Sequence, residues 1–116
     1  RVMLGLWSML PQFMMTKTIV AVDADDIDIR NWDDVLWAIS TRFDASRDLV
    51  LLDRTPVDYL DFASPLPGLG GKMGLDATRK IGAETARPWG KVLGMSSDIV
   101  ARVDARWSQL GLGATP

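Results

Sequence analysis

The spacing of apolar residues predicts a helix near the start of the chain, over residues 2–15. Its apolar face comprises Leu6, Leu10, Phe13 and Met14. Pro11 interrupts this helix, because proline lacks the N–H that a helix interior requires and clashes with the carbonyl four residues earlier. The helix therefore ends near Leu10 or kinks there, or a separate helix begins with Ser8 as its N-cap.

A strand–helix–strand pattern follows. The short apolar segments Lys17–Asp23 and Asp48–Asp53 predict buried strands. Between them Asn31 can cap a helix whose first turn carries Asp33 and Asp34, where the helix dipole favours negative charge. The apolar face of this helix comprises Trp32, Val35, Leu36, Ile39 and Phe43, and Arg42 lies in its last turn. The pattern predicts a parallel βαβ unit with a right-handed crossover. Two strands do not make a stable sheet, so we expect further strands from upstream sequence or from another copy.

No periodic pattern continues from Thr55 to about Met95, where prolines and glycines punctuate the chain. A structureless segment of this length is usually functional or bound to a partner. Its apolar residues favour burial over a linker role: Tyr59, Leu60, Phe62, Leu66, Leu69, Met73, Leu75 and Trp89.

Helical spacing returns near the end of the chain and predicts a helix from Ser97 to Leu110. Ser97 is its candidate cap, Asp98 complements the dipole, and Gly111 is a candidate stop. The apolar stripe comprises Val100, Val103, Trp107 and Leu110. Trp32 and Trp107 lie on apolar helix faces and are predicted to be core residues.

The predicted fold class is α/β: a small, partly parallel sheet with a βαβ unit, flanking helices and a long C-terminal helix after an irregular loop. The 116 residues are enough for one domain with a core. An apolar segment that starts abruptly at Arg1 indicates that the natural chain continues upstream and that this sequence is a domain excised from a longer protein.

Composition narrows the chemistry. The chain has no cysteine and no histidine, which excludes disulfides, zinc–thiolate sites and Ser/His or Cys/His nucleophile pairs. The net charge of −2 gives little support to nucleic-acid binding. No apolar run approaches the roughly 20 residues of a membrane span.

The acidic cluster at Asp23, Asp25, Asp26 and Asp28 invites a metal interpretation. An EF-hand fails, because its sixth position would be Asp28 and its twelfth Asp34, where glycine and glutamate are required. A metal-dependent phosphoryl acceptor would use magnesium near Asp23 and Asp25. The favoured interpretation is a solvated strand-to-helix turn.

The segment GLGGKMG fails both nucleotide motifs. Met73 follows Gly71-Lys72 where a P-loop has Ser or Thr, and it also replaces the last glycine of a dinucleotide fingerprint. Lys17 is either an exposed charge at a strand end or an anion contact, since lysine acts as a point charge toward phosphate. Three loop carboxylates are candidate acids or bases, although Asp in loops most often caps turns: Asp58, Asp61 and Asp76.

Residues 58–78, DYLDFASPLPGLGGKMGLDAT, together with KTIVAVDADD and the DDVLWAISTRF helix, closely resemble the carboxy-terminal domain of the UbiD family of decarboxylases. Within the family the chain is most similar to the branch that decarboxylates 3-polyprenyl-4-hydroxybenzoate in ubiquinone biosynthesis. The resemblance implies prenylated FMN, with Mn²⁺ and K⁺, in the full-length enzyme. It places the cofactor, the metal ligands and the catalytic Arg and Glu on an upstream flavin-binding domain, so this chain holds no catalytic or metal-binding residue and is inactive alone.

The resemblance also implies roles for residues of this chain. Lys17 matches the family lysine that faces the cofactor phosphate, and Leu66 and Leu69 are candidates for the wall of the aromatic-acid pocket. The terminal helix, residues 96–112, is implied to contact a neighbouring subunit of a homo-oligomer. The implied location is the cytoplasm, at the membrane surface if the substrate carries a polyprenyl chain. The alternative function is a non-catalytic assembly module in isolation.

Overall fold

The structure, a computed structural model, describes residues 1–9, 12–90 and 92–110, which fall into two units, residues 1–85 and 86–116. The first unit contains helices α1 (Val2–Trp7), α2 (Gln12–Met15) and α3 (Trp32–Arg42), strands β1 (Thr18–Ala21), β2 (Leu49–Pro56) and β3 (Leu69–Asp76), and a 3₁₀ turn at Gly82–Glu84. The second unit contains α4 (Ser97–Asp104) and a 3₁₀ helix, Trp107–Leu110.

The three strands of the first unit form one sheet in the order β1–β3–β2. The central strand β3 is parallel to β1 and antiparallel to β2. A partly parallel α/β fold is therefore confirmed. The prediction that the first two strands pair in parallel is wrong, because β3 lies between them and β2 runs the opposite way. The third strand comes from the glycine-rich segment of this chain, where the sequence predicts a loop.

Glycine at position 74 lets α1 pack directly on β3. A Cβ atom there would lie 2.5 Å from Sδ of Met3 and 3.2 Å from Cη2 of Trp7. Both of these side chains are buried. The helix thus reaches the strand because Gly74 has no side chain.

The N-terminal helix differs from its prediction. The helix of residues 2–15 is two helices, since α1 ends at Trp7 and α2 begins at Gln12. The predicted apolar face is wrong at Leu6, which is exposed, while Met3 and Trp7 point inward. Leu10 and Pro11, where the break was predicted, and the side chain of Met14 lie outside the described residues.

Helix α3 begins where the sequence predicts. The Asn31 side chain accepts a hydrogen bond from the backbone N–H of Asp33 at 3.0 Å, the geometry of an N-cap. The core under the helix is formed by Ile27, Ala38 and Ala77, with Val20, Val22, Val35 and Ile39 packed against it. The prediction of a core Trp32 is wrong, since this side chain is 75% exposed. The face of α3 that packs on the core therefore includes fewer residues than the apolar face that the sequence predicts.

Arginines neutralise the acidic turn after β1. The guanidinium of Arg42, buried in the last turn of α3, donates to Asp23 at 2.8 Å and to Asp26 at 2.6 Å. Arg79 donates to Asp25 from the other side. The turn therefore holds α3 to the end of β1 through ion pairs, where the sequence suggested only solvation.

In the second unit, α4 ends at Asp104, short of the predicted Leu110. Its N-cap is Ser96, one residue earlier than predicted. Val100 and Val103 of the apolar stripe are exposed, and Trp107 is half-buried in the 3₁₀ helix. The side chain of Leu110 and the candidate stop Gly111 lie outside the described residues. No helix in the described ranges has the length and hydropathy of a membrane span.

Candidate functional site

Lys17 lies at the junction of α2 and β1, on the half-exposed rim of the sheet. Its carbonyl accepts a hydrogen bond from the backbone N–H of Met73 at 3.1 Å, which extends the pairing of β1 with β3 by one residue. Its Nζ donates to both carboxylate oxygens of Asp61, at 2.8 and 3.1 Å. The Lys17 side chain remains 48% exposed, so its ammonium is fixed in direction and still accessible.

Asp61 belongs to the loop between β2 and β3 and serves both as a turn cap and as the partner of Lys17. It accepts the backbone N–H of Ala63 at 3.1 Å. The hydrogen bond from Lys17 holds the pKa of the Asp61 carboxyl below its usual range. Since an ammonium has three donors, Lys17 can bind a second anion while it keeps Asp61.

A backbone hydrogen bond closes the loop between β2 and β3 at its base. The backbone N–H of Val57 donates to the carbonyl of Gly68 at 3.2 Å, and the φ of Gly68 is 70°, a left-handed conformation that favours glycine. Val57 is buried, whereas the apolar loop residues were predicted to be buried and are largely exposed: Tyr59, Leu60, Phe62 and Leu66. The loop therefore has a defined conformation and exposes apolar side chains.

Two neighbouring grooves run along β2 and β3. The first, of about 440 Å³, is lined by Lys17, Thr18, Leu51, Leu52, Asp53, Gly71, Lys72 and Met73. The second, of about 380 Å³, is lined by Asp53, Arg54, Pro65, Leu66, Leu69, Gly70 and Gly71. They share Asp53 and Gly71. The structure thus brings the cationic candidate Lys17 and the apolar candidates Leu66 and Leu69 into adjoining grooves.

The remaining loop carboxylates act as turn caps. Asp58 accepts the backbone N–H of Leu60 at 2.8 Å, and Asp76 accepts the N–H of Thr78 at 3.1 Å. Hydrogen bonds from Thr78 and Lys80 hold the pKa of Asp76 below its usual range, against the opposing effect of burial.

Arg54 is a groove residue that the sequence did not indicate. Its φ is 52°, the only positive value among the described non-glycine residues, and it lies in the irregularity of β2 between Leu52 and Thr55. A bulge of this kind redirects a side chain, and here Arg54 lines the same groove as Leu66. No local sequence signal marks the position.

Replacing Arg54 with glycine is expected to raise the free energy of unfolding by about 0.5–1 kcal/mol, because glycine adopts a positive φ without strain. Chemical denaturation measures the change. Arg54→Ala is the matched control, since it removes the side chain but keeps the strain. A glycine variant less stable than the alanine variant would refute the strain argument.

Lys72 is a second residue whose position could not be foreseen. It lies on β3 and is only 2% exposed. Its Nζ donates to the carbonyl of Thr16 at 3.2 Å and lies 5.6 Å from the centroid of the Phe13 ring. Burial lowers the pKa of the Lys72 ammonium. The sequence marked it only as the lysine of a failed P-loop.

A comparison with protein families identifies the family to which this chain belongs. The family of the 3-octaprenyl-4-hydroxybenzoate carboxy-lyase C-terminal domain, UbiD_C, matches residues 1–77. The chain belongs to this family. The matched range is the sheet-bearing part of the UbiD_C domain and contains Lys17, Leu66 and Leu69.

Solved structures similar to this UbiD_C domain include two decarboxylases and a UbiD-class enzyme. Vanillic acid decarboxylase of Sedimentibacter hydroxybenzoicus in closed form is 25% identical, with a TM-score of 0.74 over 94% of this chain and 23% of its own. The UbiD-class enzyme HmfF of Pelotomaculum thermopropionicum, in complex with FMN, is 29% identical, with a TM-score of 0.62 over 80% of this chain and 20% of its own. The 3,4-dihydroxybenzoic acid decarboxylase of Enterobacter cloacae is 26% identical, with a TM-score of 0.55 over 74% and 19%. The chain spans about a quarter or less of these proteins.

Among the described residues of the UbiD_C domain, the donor that fits the phosphate of a flavin is Lys17. Lys17 presents an accessible ammonium in a groove, as phosphate recognition requires. Within residues 1–9, 12–90 and 92–110, no group of three or more acidic side chains is arranged to hold a metal ion. Asp23, Asp25 and Asp26 are instead paired with Arg42 and Arg79.

Proposed function

We propose that this domain is the substrate-side part of a prenylated-FMN-dependent decarboxylase, which acts on an aromatic acid such as 3-polyprenyl-4-hydroxybenzoate in ubiquinone biosynthesis. The observation that carries the proposal is the accessible ammonium of Lys17, held by Asp61 beside an apolar groove. The family match adds the reaction class. Aromatic acids named for two similar structures add the substrate class.

In this proposal Lys17 contacts the flavin phosphate, and Leu66 and Leu69 form part of the pocket wall for the aromatic acid. The exposed Tyr59, Leu60 and Phe62 pack against the flavin-binding domain and exclude water from the reaction. The prenylated flavin, when bound, supplies the electron sink for loss of carbon dioxide. Mn²⁺ and K⁺ belong with the flavin-binding domain. A cytoplasmic enzyme that meets the membrane surface is part of the proposal, because a polyprenyl chain partitions into lipid.

Replacing Lys17 with methionine in the intact decarboxylase that carries this domain is expected to weaken FMN binding about tenfold, since a charged hydrogen bond to phosphate contributes about 1.5 kcal/mol. Binding of riboflavin, which lacks the phosphate, should not change. Flavin fluorescence titration of the apoenzyme measures both. The variant therefore separates contact with the phosphate from contact with the isoalloxazine ring.

Arg30→Met is the matched control for this experiment. Arg30 is also an exposed cation, but it lies in the segment that joins β1 to α3 and lines neither groove. Its loss should leave both affinities unchanged. Equal FMN affinity in the Lys17 variant and the parent would remove Lys17 from the site.

A second proposed role, assembly into a homo-oligomer, concerns residues 96–112. Ile99, Val100 and Val103 of α4 are each 40–45% exposed. Exposed apolar side chains on one helix are typical of a contact surface. In the intact enzyme, assembly through this helix is compatible with catalysis. The alternative function is that the isolated domain is a non-catalytic assembly module.

The oligomer prediction is tested by Val103→Asp, which should shift the intact protein to smaller species in light scattering at micromolar concentration, because a buried charge at an interface is unfavourable. Asp104→Asn, on the same helix, is the control. An unchanged mass for the Val103 variant would exclude this surface.

A further inference from the structure

Lys72 is a cation that is buried on β3. In the described part of the chain no acidic side chain lies within ion-pair distance of its Nζ, and only 2% of the residue is exposed. Burial of an ammonium is unfavourable by several kcal/mol unless it is well paired. A methionine would fill the same space without that penalty, so the lysine requires an explanation beyond packing.

The contacts of Lys72 converge on one atom. Its Nζ donates to the carbonyl oxygen of Thr16 at 3.2 Å, and the buried indole Nε1 of Trp7 donates to the same oxygen at 2.9 Å. The Phe13 ring faces the ammonium at 5.6 Å, a favourable cation–π distance. Two buried donors are thus directed at a single backbone carbonyl.

That carbonyl belongs to the peptide bond that joins Thr16 to Lys17. The next carbonyl, of Lys17 itself, accepts the backbone N–H of Met73 at 3.1 Å. Two successive residues of β3, Lys72 and Met73, therefore fix the backbone on both sides of the Lys17 Cα. Asp61 then fixes the other end of the Lys17 side chain.

We propose that Lys72 is a positioning residue for Lys17: its buried ammonium, with the Trp7 indole, holds the Thr16 carbonyl and thereby sets the point from which the Lys17 side chain extends into the groove. The consequence for flavin binding rests on the proposed phosphate contact of Lys17. The positioning itself does not, because every contact involved lies within this chain.

The first measurement is the reactivity of Lys17 in the cofactor-free intact decarboxylase. An amine-acylating reagent labels exposed lysines, and mass spectrometry of the Lys17 peptide gives the rate. Lys72→Met should increase the labelling of Lys17 about threefold, because a less constrained backbone weakens the pair with Asp61. Lys72→Gln, which retains a donor for the Thr16 carbonyl, should label like the parent. Asp61→Asn is the positive control and should increase labelling.

The second measurement is FMN affinity in the same variants. Lys72→Met should weaken FMN binding about threefold, leave riboflavin binding unchanged, and add nothing in a Lys17→Met background. Its thermal stability should equal or exceed that of the parent, since an apolar isostere relieves the buried charge. A merely structural lysine would show the stability effect without the change at Lys17.

Three outcomes decide the proposal. Parental labelling of Lys17 in the Lys72→Met variant would overturn it. Equal increases in the methionine and glutamine variants would also overturn it, since the hydrogen bond would then not be the cause. Increased labelling in the methionine variant alone supports it, even if Lys17→Met leaves FMN affinity unchanged; in that case the phosphate contact fails and the positioning stands.

Discussion

Replacing Arg42 with alanine is expected to lower the free energy of unfolding by about 3 kcal/mol, because it removes one partner of a buried ion-pair cluster. The guanidinium is 1% exposed and donates to Asp23 at 2.8 Å and Asp26 at 2.6 Å. It also lies 5.0 Å from the Trp37 ring. Without it, Asp23 and Asp26 each lose an ion-pair partner, and the space that the guanidinium fills is left empty. Urea denaturation followed by circular dichroism measures the loss.

Arg79→Ala is the control for this cluster. Arg79 pairs with Asp25 and, at 3.6 Å, with Asp23 in the same turn, but its side chain is 42% exposed, so water and salt screen these interactions. Its loss should be far smaller than that of Arg42. Equal losses would show that the acidic turn responds to total charge and that the buried geometry of Arg42 has no special role.

Replacing Gly74 with valine is expected to lower the free energy of unfolding by about 2–3 kcal/mol, the usual effect of overpacking a core. The new Cβ would lie 2.5 Å from Sδ of Met3 and 3.2 Å from the Trp7 ring. Either the side chains of Met3 and Trp7 would have to shift or helix α1 would have to move away from β3. The same denaturation experiment measures the effect.

Gly71→Val is the matched control, on the same strand and three residues away. A Cβ at Gly71 meets only the carbonyl of Leu52, at 3.4 Å, which is an ordinary contact. Valine favours strands, so this variant should be as stable as the parent or more so. If both valine variants lose the same free energy of unfolding, the loss arises from placing valine anywhere in β3 and not from the contact with α1.

Local signals predicted the elements that depend on local interactions. Asn31 and the acidic first turn fixed the start of α3, and the apolar run after Lys17 fixed β1. The prediction of a parallel βαβ unit is wrong, because the pairing depends on a segment distant in sequence: β3 lies between the other two strands. Gly74 carries no periodic signal, since its role is to leave space for residues at the other end of the unit.

The candidate site was predictable only in part. Lys17, Leu66 and Leu69 were identified through family resemblance, and their joint role stays a prediction, although the structure brings them to adjoining grooves. Asp61 appeared in the sequence as one of several loop carboxylates. Lys72 and Arg54 had no signal, because burial and a left-handed backbone are set by partners distant in sequence.

The order of the strands has a consequence for how the chain folds during synthesis. Within the described residues β1 and β2 make ladder hydrogen bonds only to β3, and Thr18 is paired with Met73. No sheet can exist until β3 has left the ribosome. The nascent domain therefore carries β1 unpaired from Ala21 until Asp76 has been added, and β2 unpaired from Pro56 until Asp76 has been added, and unpaired apolar strands are prone to aggregate or to require a chaperone in such an interval.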